Sequence, residues 1–157
     1  MDKNLEDIIV EILSERKMTI TTVESCTGGL LMGRIINSSG ASACVNEGYI
    51  TYSNEAKHRL VGVSNDTLNK YGAVSEETAR EMAVGGAKAA NSNVALAITG
   101  IAGPLGGTAL KPVGLVYVGC YVDGKVIVKK CQFSGNRMEV RNQTVETALR
   151  LLYECIC

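Results

Sequence analysis

The chain has 157 residues, 46% of them hydrophobic, which is enough for one domain with a buried core. Sixteen Lys and Arg balance sixteen Asp and Glu, so the basic excess that phosphate-backbone binding draws on is missing. With no Trp and one Phe, stacking platforms for single-stranded bases are missing too, and nucleic acid is not an expected partner.

No apolar run reaches membrane-spanning length, and the polar, acidic start Met1-Asp2-Lys3-Asn4-Leu5-Glu6-Asp7 is unlike a secretory signal. None of the six cysteines forms a CxxC pair. The expectation is therefore a cytoplasmic protein with reduced thiols, no metal site and no membrane partner. No Pro-rich, Ser-rich or single-charge linker and no internal repeat divides the sequence, so residues 1–157 read as a single domain.

Leu5, Ile8, Ile9, Ile12 and Leu13 form a helical stripe over about residues 4–16. The β-branched run Met18-Thr19-Ile20-Thr21-Thr22-Val23 predicts a strand. After the turn Ser25-Cys26-Thr27-Gly28-Gly29, a helix is expected through Leu30, Leu31, Ile35 and Ile36. A second strand is expected over about residues 43–52, and a short helix from about Asn54 to Leu60. Ser75 is placed to cap a helix that runs through Ala79, Met82, Ala83 and Ala87, with Glu76 and Glu77 suited to its first turn.

Val94-Ala95-Leu96-Ala97-Ile98 is a short continuous apolar run and suits a strand buried on both faces. Val113–Val122 and Lys125–Phe133 read as two strands joined by the hairpin signal Asp123-Gly124. That register sets Cys120 opposite Ile127 and Cys131 opposite Val116, which argues against a disulfide between these cysteines. A last helix is expected from about Arg137 to Tyr153, with Val140, Thr144, Thr147, Ala148 and Leu151 inward. Together these elements predict an α/β fold: a three-layer α/β/α sandwich with a mixed, mainly parallel sheet and one antiparallel hairpin.

Ligands of such sheets sit at the carboxyl ends of strands, where three features gather. Ser25 follows a strand at the mouth of a helix, where free amides suit an oxyanion or phosphate. Two readings stand here, Ser25 as nucleophile or Ser25 or Thr27 as a plain N-cap, and Cys26 offers a thiol alternative. Lys57, in the first turn of the helix after Tyr52, opposes the helix dipole and is either a base of lowered pKa or a solvated surface lysine. His58 is the only histidine, so a metal site or a His-based triad lacks support. The segment Thr99 to Thr108, ending at Lys111-Pro112, is a glycine-rich anion nest or a bland crossover loop. Arg137 and Arg141, one helical turn apart near the start of the last helix, call for a compensating anion or a carboxylate partner.

Taken jointly, Glu24-Ser25-Cys26-Thr27-Gly28-Gly29, Thr51-Tyr52-Ser53-Asn54-Glu55-Ala56-Lys57, Gly72-Ala73-Val74-Ser75 and Thr99-Gly100-Ile101-Ala102-Gly103-Pro104 form an ordered set. With Lys111-Pro112-Val113-Gly114 and Gly135-Asn136-Arg137, this set resembles the C-terminal domain of the competence/damage-inducible protein CinA over nearly the whole chain. That domain is also found as a stand-alone nicotinamide-nucleotide amidase. The resemblance implies hydrolysis of the carboxamide of nicotinamide mononucleotide to nicotinate mononucleotide and ammonia, in pyridine-nucleotide recycling.

By position, the resemblance makes Ser25 the nucleophile, Lys57 its base and Tyr52 a hydroxyl that relays or orients. It assigns substrate binding to Thr27, Gly28, Gly29, Thr99, Gly100, Gly103, Gly106, Gly107, Lys111 and Arg137, with amides near Cys26 to Gly29 at the oxyanion. It implies no metal or organic cofactor, and a homodimer. The sequence departs from the family pattern at Leu105 and Leu110, where acidic residues are usual. Those departures motivate the alternative of a non-catalytic nucleotide-binding or regulatory module of the same fold.

Overall fold

The structure, a computed structural model, describes residues 2–157. Five strands form one sheet in the order β2-β1-β3-β4-β5. They are β1 (Ile20–Glu24), β2 (Tyr49–Ile50), β3 (Val94–Gly100), β4 (Leu115–Val122) and β5 (Lys125–Gln132). β1 runs parallel to β2 and β3, and β4 is antiparallel to β3 and β5, so the sheet is mixed. Three helices, α1 (Leu5–Glu15), α2 (Leu30–Ile35) and α6 (Arg137–Ile156), cover one face. Another three, α3 (Asn54–Val61), α4 (Asn65–Tyr71) and α5 (Glu76–Ala90), cover the other. This is the expected three-layer α/β/α sandwich with one antiparallel hairpin, but its sheet is parallel only at the β2-β1-β3 side and antiparallel from β3 through β5, rather than mainly parallel, because β4 pairs with β3 as well as with β5.

Alternation along the central strands sorts the two cores. Ile20, Val94, Leu96 and Ile98 pack with Ile9, Leu13, Leu149 and Leu152 on the α1 and α6 side. Val23 and Ala97 pack with Val61, Leu68, Met82 and Ala83 on the α5 side. That second interface is built from small residues. A Cβ on Gly86 would collide with Val23, and one on Gly119 would lie 2.8 Å from the Ala79 carbonyl oxygen. Gly85 in turn seats α5 against the Val61 carbonyl at the end of α3.

The Asp123-Gly124 turn has positive φ at both positions (44° and 91°), as a two-residue hairpin of this hand requires. Cys120 pairs with Ile127 and Cys131 with Val116, as the register predicts, and all six cysteines are free. Ser75 accepts the Thr78 N–H as the N-cap of α5. β5 is the outer strand on this side, with Lys125, Lys129 and Lys130 exposed. No helix among the described residues is long and apolar enough to cross a membrane.

Two elements differ from expectation. The strand expected over about residues 43–52 is reduced to Tyr49–Ile50, preceded by a single bridge from Val45 to Ile20. Between them the chain leaves the ladder: Thr21 Oγ1 donates to the Glu47 carbonyl at 2.9 Å, and a Cβ on Gly48 would lie 2.9 Å from Met32 Cε. Side chains have replaced backbone pairing there. The second difference is α4, a helix the periodicity does not announce because Leu68 is its one buried residue. Its start is set by Ser64, whose Oγ accepts the Asp66 N–H at 3.1 Å.

Because Gly85 packs on carbonyl backbone, Gly85→Ala is expected to lower unfolding free energy by about 1–3 kcal/mol in urea denaturation. Gly33→Ala, whose added methyl meets open space in α2, is expected to be neutral or slightly stabilising. Equal stability of the Gly85 variant and wild type would refute this packing of α3 on α5.

Candidate active site

β1 and β3 run parallel in register, with Glu24 beside Ile98, so Ser25 and Thr99-Gly100 emerge at the same carboxyl edge of the sheet. Thr51 joins that edge after β2, its N–H donating 2.7 Å to the Glu24 carbonyl. Ser53 then caps α3 by accepting the Ala56 N–H at 3.0 Å. One turn of helix carries Lys57 back over the strand end. Its Nζ donates 2.8 Å to the Thr51 carbonyl and 3.1 Å to Ser25 Oγ.

Lys57 is 1% exposed, and burial pushes its pKa from 10.5 down to about 8. An ammonium without a carboxylate partner is costly away from water, so the neutral amine is within reach near physiological pH. The surface-lysine reading is therefore excluded. Cys26 is also buried, and burial pushes its thiol up to about 11. The thiol is protonated at neutral pH and Lys57 bonds Ser25, which favours the hydroxyl over the thiol as nucleophile.

The helix mouth itself corrects an expectation. The amides at the start of α2 are not free, because the Glu24 carboxylate takes them. Oε1 accepts from Gly29 N–H at 3.2 Å, Leu31 N–H at 2.9 Å and Thr27 Oγ1 at 2.7 Å. Oε2 accepts from Met32 N–H and Thr22 Oγ1, both at 3.1 Å. An anion cannot also dock on this helix end, and Thr27, Gly28 and Gly29 lie outside the cavity beside Ser25. In the turn, Ser25 N–H donates to Ile98 and Gly28 N–H to Ser25. The Cys26 and Thr27 N–H groups have no protein acceptor among the described residues.

That cavity, of about 260 Å³, is lined by Ser25, Cys26, Tyr52, Lys57, Thr99, Gly100, Gly103, Leu105, Gly106 and Arg137, among others, and by no carboxylate. Thr99 Oγ1 donates 2.7 Å to the Ala73 carbonyl and so ties the end of β3 to the segment before α5. Arg137 bridges the walls, donating 2.9 Å to the Gly103 carbonyl and 3.1 Å to the Tyr52 hydroxyl. Tyr52 stands at the rim, 64% exposed, and its hydroxyl pairs with Arg137 rather than with Ser25 or Lys57.

Gly107 and Lys111 lie off the cavity. Gly107 is pressed on Val113, where a Cβ would meet its amide nitrogen at 2.8 Å, and Lys111 Nζ holds the Tyr71 carbonyl. His58 pairs through Nδ1 with the Val63 carbonyl at 2.8 Å and closes the end of α3. A larger groove of about 730 Å³ between α3 and α5 is lined by Leu60, Val61 and Val84 and contains no hydroxyl or thiol nucleophile.

Sequence reasoning assigned no role to Glu24 or to the Thr51 carbonyl. A signal for the first was present. Thr22 and Glu24 share a face of a strand whose neighbours are apolar, and a buried carboxylate demands donors.

The fold and site define a class, a three-layer α/β/α domain that buries a serine–lysine pair at the carboxyl edge of a mixed sheet. A model of the CinA C-terminal domain matches residues 2–156, and the chain belongs to that family. It is 58% identical over 151 residues to a competence-damage inducible protein of Clostridium beijerinckii, covering 96% of this chain and 37% of that protein. It is 55% identical to a CinA-like protein of Kosmotoga olearia, covering 94% of this chain and 36% of that one. The chain thus spans little more than a third of the length of these curated relatives.

Among solved structures, competence/damage inducible protein CihA of Agrobacterium tumefaciens superposes with a TM-score of 0.93 at 41% identity, covering 96% of this chain and 92% of that one. A CinA superfamily protein of Escherichia coli superposes with a TM-score of 0.94 at 33% identity, covering 97% and 88%.

The lowered lysine has a stability signature. Between about pH 8 and 10.5 the unfolded lysine binds a proton that the folded one has released, so stability rises with pH across that window. Relative to Lys57→Met, the wild type is expected to gain about 2–3 kcal/mol between those limits in pH-dependent urea unfolding. Parallel curves would mean that Lys57 titrates normally.

Proposed function

We propose that this chain hydrolyses the carboxamide of nicotinamide mononucleotide, giving nicotinate mononucleotide and ammonia in pyridine-nucleotide recycling. The observation that carries the reading is the Lys57 Nζ to Ser25 Oγ contact of 3.1 Å, made by a lysine whose burial favours the neutral amine.

Neutral Lys57 takes the Ser25 proton as Oγ bonds to the carboxamide carbon. The resulting tetrahedral oxyanion is served by the unpaired amide of Cys26, which lines the cavity. When the intermediate collapses, the C–N bond breaks and Lys57 ammonium returns its proton to nitrogen, which leaves as ammonia. Water then attacks the Ser25 ester with Lys57 again as base and releases the carboxylate. The cycle consumes one water, and Lys57 carries the proton in both halves. Arg137 supplies positive charge at the cavity wall for the nucleotide's anionic part, and Tyr52, held by Arg137, flanks the entrance. The reading carries with it a cytoplasmic homodimer.

A second reading, a nucleotide-binding module without turnover, draws on Leu105, an 85% exposed leucine on the cavity wall where the family pattern has an acidic residue.

Ammonia release from nicotinamide mononucleotide separates the two. Wild type is expected to release it, while Ser25→Ala falls by about 10⁴-fold or more and Lys57→Ala by about 10²–10⁴-fold. Tyr52→Phe is expected to lose about tenfold or less, the worth of one hydrogen bond. The rate should climb with pH and level off above a midpoint near 8, since the neutral amine is the working form. Full activity in Ser25→Ala would discard the mechanism, and folded wild type without release would favour the binding module.

A further inference from the structure

The charge around the Ser25 cavity is one-sided. Among the described residues that line it, Lys57 and Arg137 are the charged ones, and no carboxylate faces them. Glu24, one residue before Ser25, lies outside the lining and is spent on the amides at the start of α2. Val74, Ile101, Ala102 and Leu105 make an apolar part of the wall.

Leu105 is the outermost of these, 85% exposed. Its place is set from both sides. Two residues earlier, the Gly103 carbonyl accepts from Arg137 at 2.9 Å. Two residues later, Gly107 is packed on Val113 so closely that a Cβ would lie 2.8 Å from the Val113 amide nitrogen. The leucine is thus held near the arginine that meets an anion, and it offers apolar surface to whatever enters.

Nicotinamide mononucleotide carries a cationic ring between its carboxamide and its phosphate. A cation leaving water for this cavity finds no counter-charge and has Arg137 as a neighbour, which costs binding. An uncharged ring avoids that cost and keeps the apolar contact.

We infer that Leu105 is a specificity-determining residue that opens this site to carboxamides carried on an uncharged, apolar ring and ending in an anion. The inference rests on the amidase reading of Ser25 and Lys57 and names the substrate class of that site. Leu110, another exposed leucine of the same loop at 93%, does not line the cavity and provides the control.

The test compares nicotinamide mononucleotide with its 1,4-dihydro form, which keeps the ribose, phosphate and carboxamide but has a neutral ring. Dissociation constants are measured by titration calorimetry on the full chain carrying Ser25→Ala, alone and with Leu105→Asp, Leu105→Asn or Leu110→Asp. Ammonia release is measured in the same set with Ser25 intact. The reaction on either ring is the same: the Ser25 Oγ–C bond forms, the C–N bond breaks and ammonia leaves, with no change in the oxidation state of the ring. The dihydro ring makes its carboxamide less electrophilic, so rates are compared as variant over parent, where that difference cancels.

With Leu105 in place, the neutral-ring form is expected to bind at least as tightly as the cationic one. Leu105→Asp should shift the ratio of the two dissociation constants about 3–10-fold toward the cationic ring, the worth of one partly solvated ion pair. Leu105→Asn and Leu110→Asp should leave the ratio within about twofold, since the first adds no charge and the second adds it off the cavity. Tighter binding of the cationic form with Leu105 in place overturns the inference. So does an unmoved ratio in Leu105→Asp, or an equal shift in Leu110→Asp. If both forms bind and neither releases ammonia, the amidase reading fails while the binding ratio still decides the role of Leu105. Binding of neither form overturns the inference whatever ammonia release shows.

Discussion

Two side chains and three amides between Thr22 and Met32 converge on the Glu24 carboxylate, which is itself 1% exposed. A carboxylate this deep is tolerable only because its oxygens are met by donors, and removing any of them would leave charge uncompensated. The bonds weld the end of β1 to the start of α2. The five residues between must therefore turn within a fixed span, with Gly28 and Gly29 at positive φ (56° and 107°). Ser25 sits on the rigid side of this weld, with its own N–H tied to Ile98. The helix end that would otherwise attract an anion is neutralised from within, and the Ser25–Lys57 contact lies one step back along the turn.

Lys57 depends on the same construction. The Glu24 backbone carbonyl receives Thr51, and the Thr51 carbonyl receives Lys57. Two buried ionisable groups thus share one strand end with opposite treatment. Glu24 is surrounded by donors, whereas Lys57 meets a carbonyl and a hydroxyl and keeps its charge at a penalty. The small-residue face of α5 completes the arrangement from behind by fixing the end of α3. Residues distant from the cavity therefore set its geometry, and two arginines of α6 brace it, Arg137 across its walls and Arg141 from outside, on the Cys26 and Thr27 carbonyls.

Much of this was legible beforehand. Apolar runs and the Asp123-Gly124 turn marked β3, β4 and β5, and the hairpin register followed from loop length alone. Position after a strand left Ser25 open as a plain helix cap and Lys57 as a surface lysine, and the ordered motif set of the family resemblance is what singled them out. What the sequence concealed is long-range. The Glu24 bonds reach up to eight residues ahead, and Arg141 reaches back 115 positions to the Cys26 carbonyl. No periodicity encodes such pairs. The shortened β2 was hidden for a related reason, since the Glu47 carbonyl is taken by Thr21 Oγ1 of another element and Gly48 sits where Met32 and Thr22 leave no room for a Cβ. Lys111 and Gly107 show the converse, with suggestive motifs occupied by loop packing.

The borders of the sheet carry a consequence for self-association. Unpaired strand edges invite a second sheet to add on, and proteins discourage this with short edge strands or with lysines. Both devices are present. β2 offers only Tyr49 and Ile50, and β5 carries exposed Lys125, Lys129 and Lys130 along the opposite border. Edge-to-edge stacking is thereby disfavoured on both sides, a safeguard against ordered aggregation. Copies of this chain that meet in solution are left to do so through their helical layers and the loops above the strand ends.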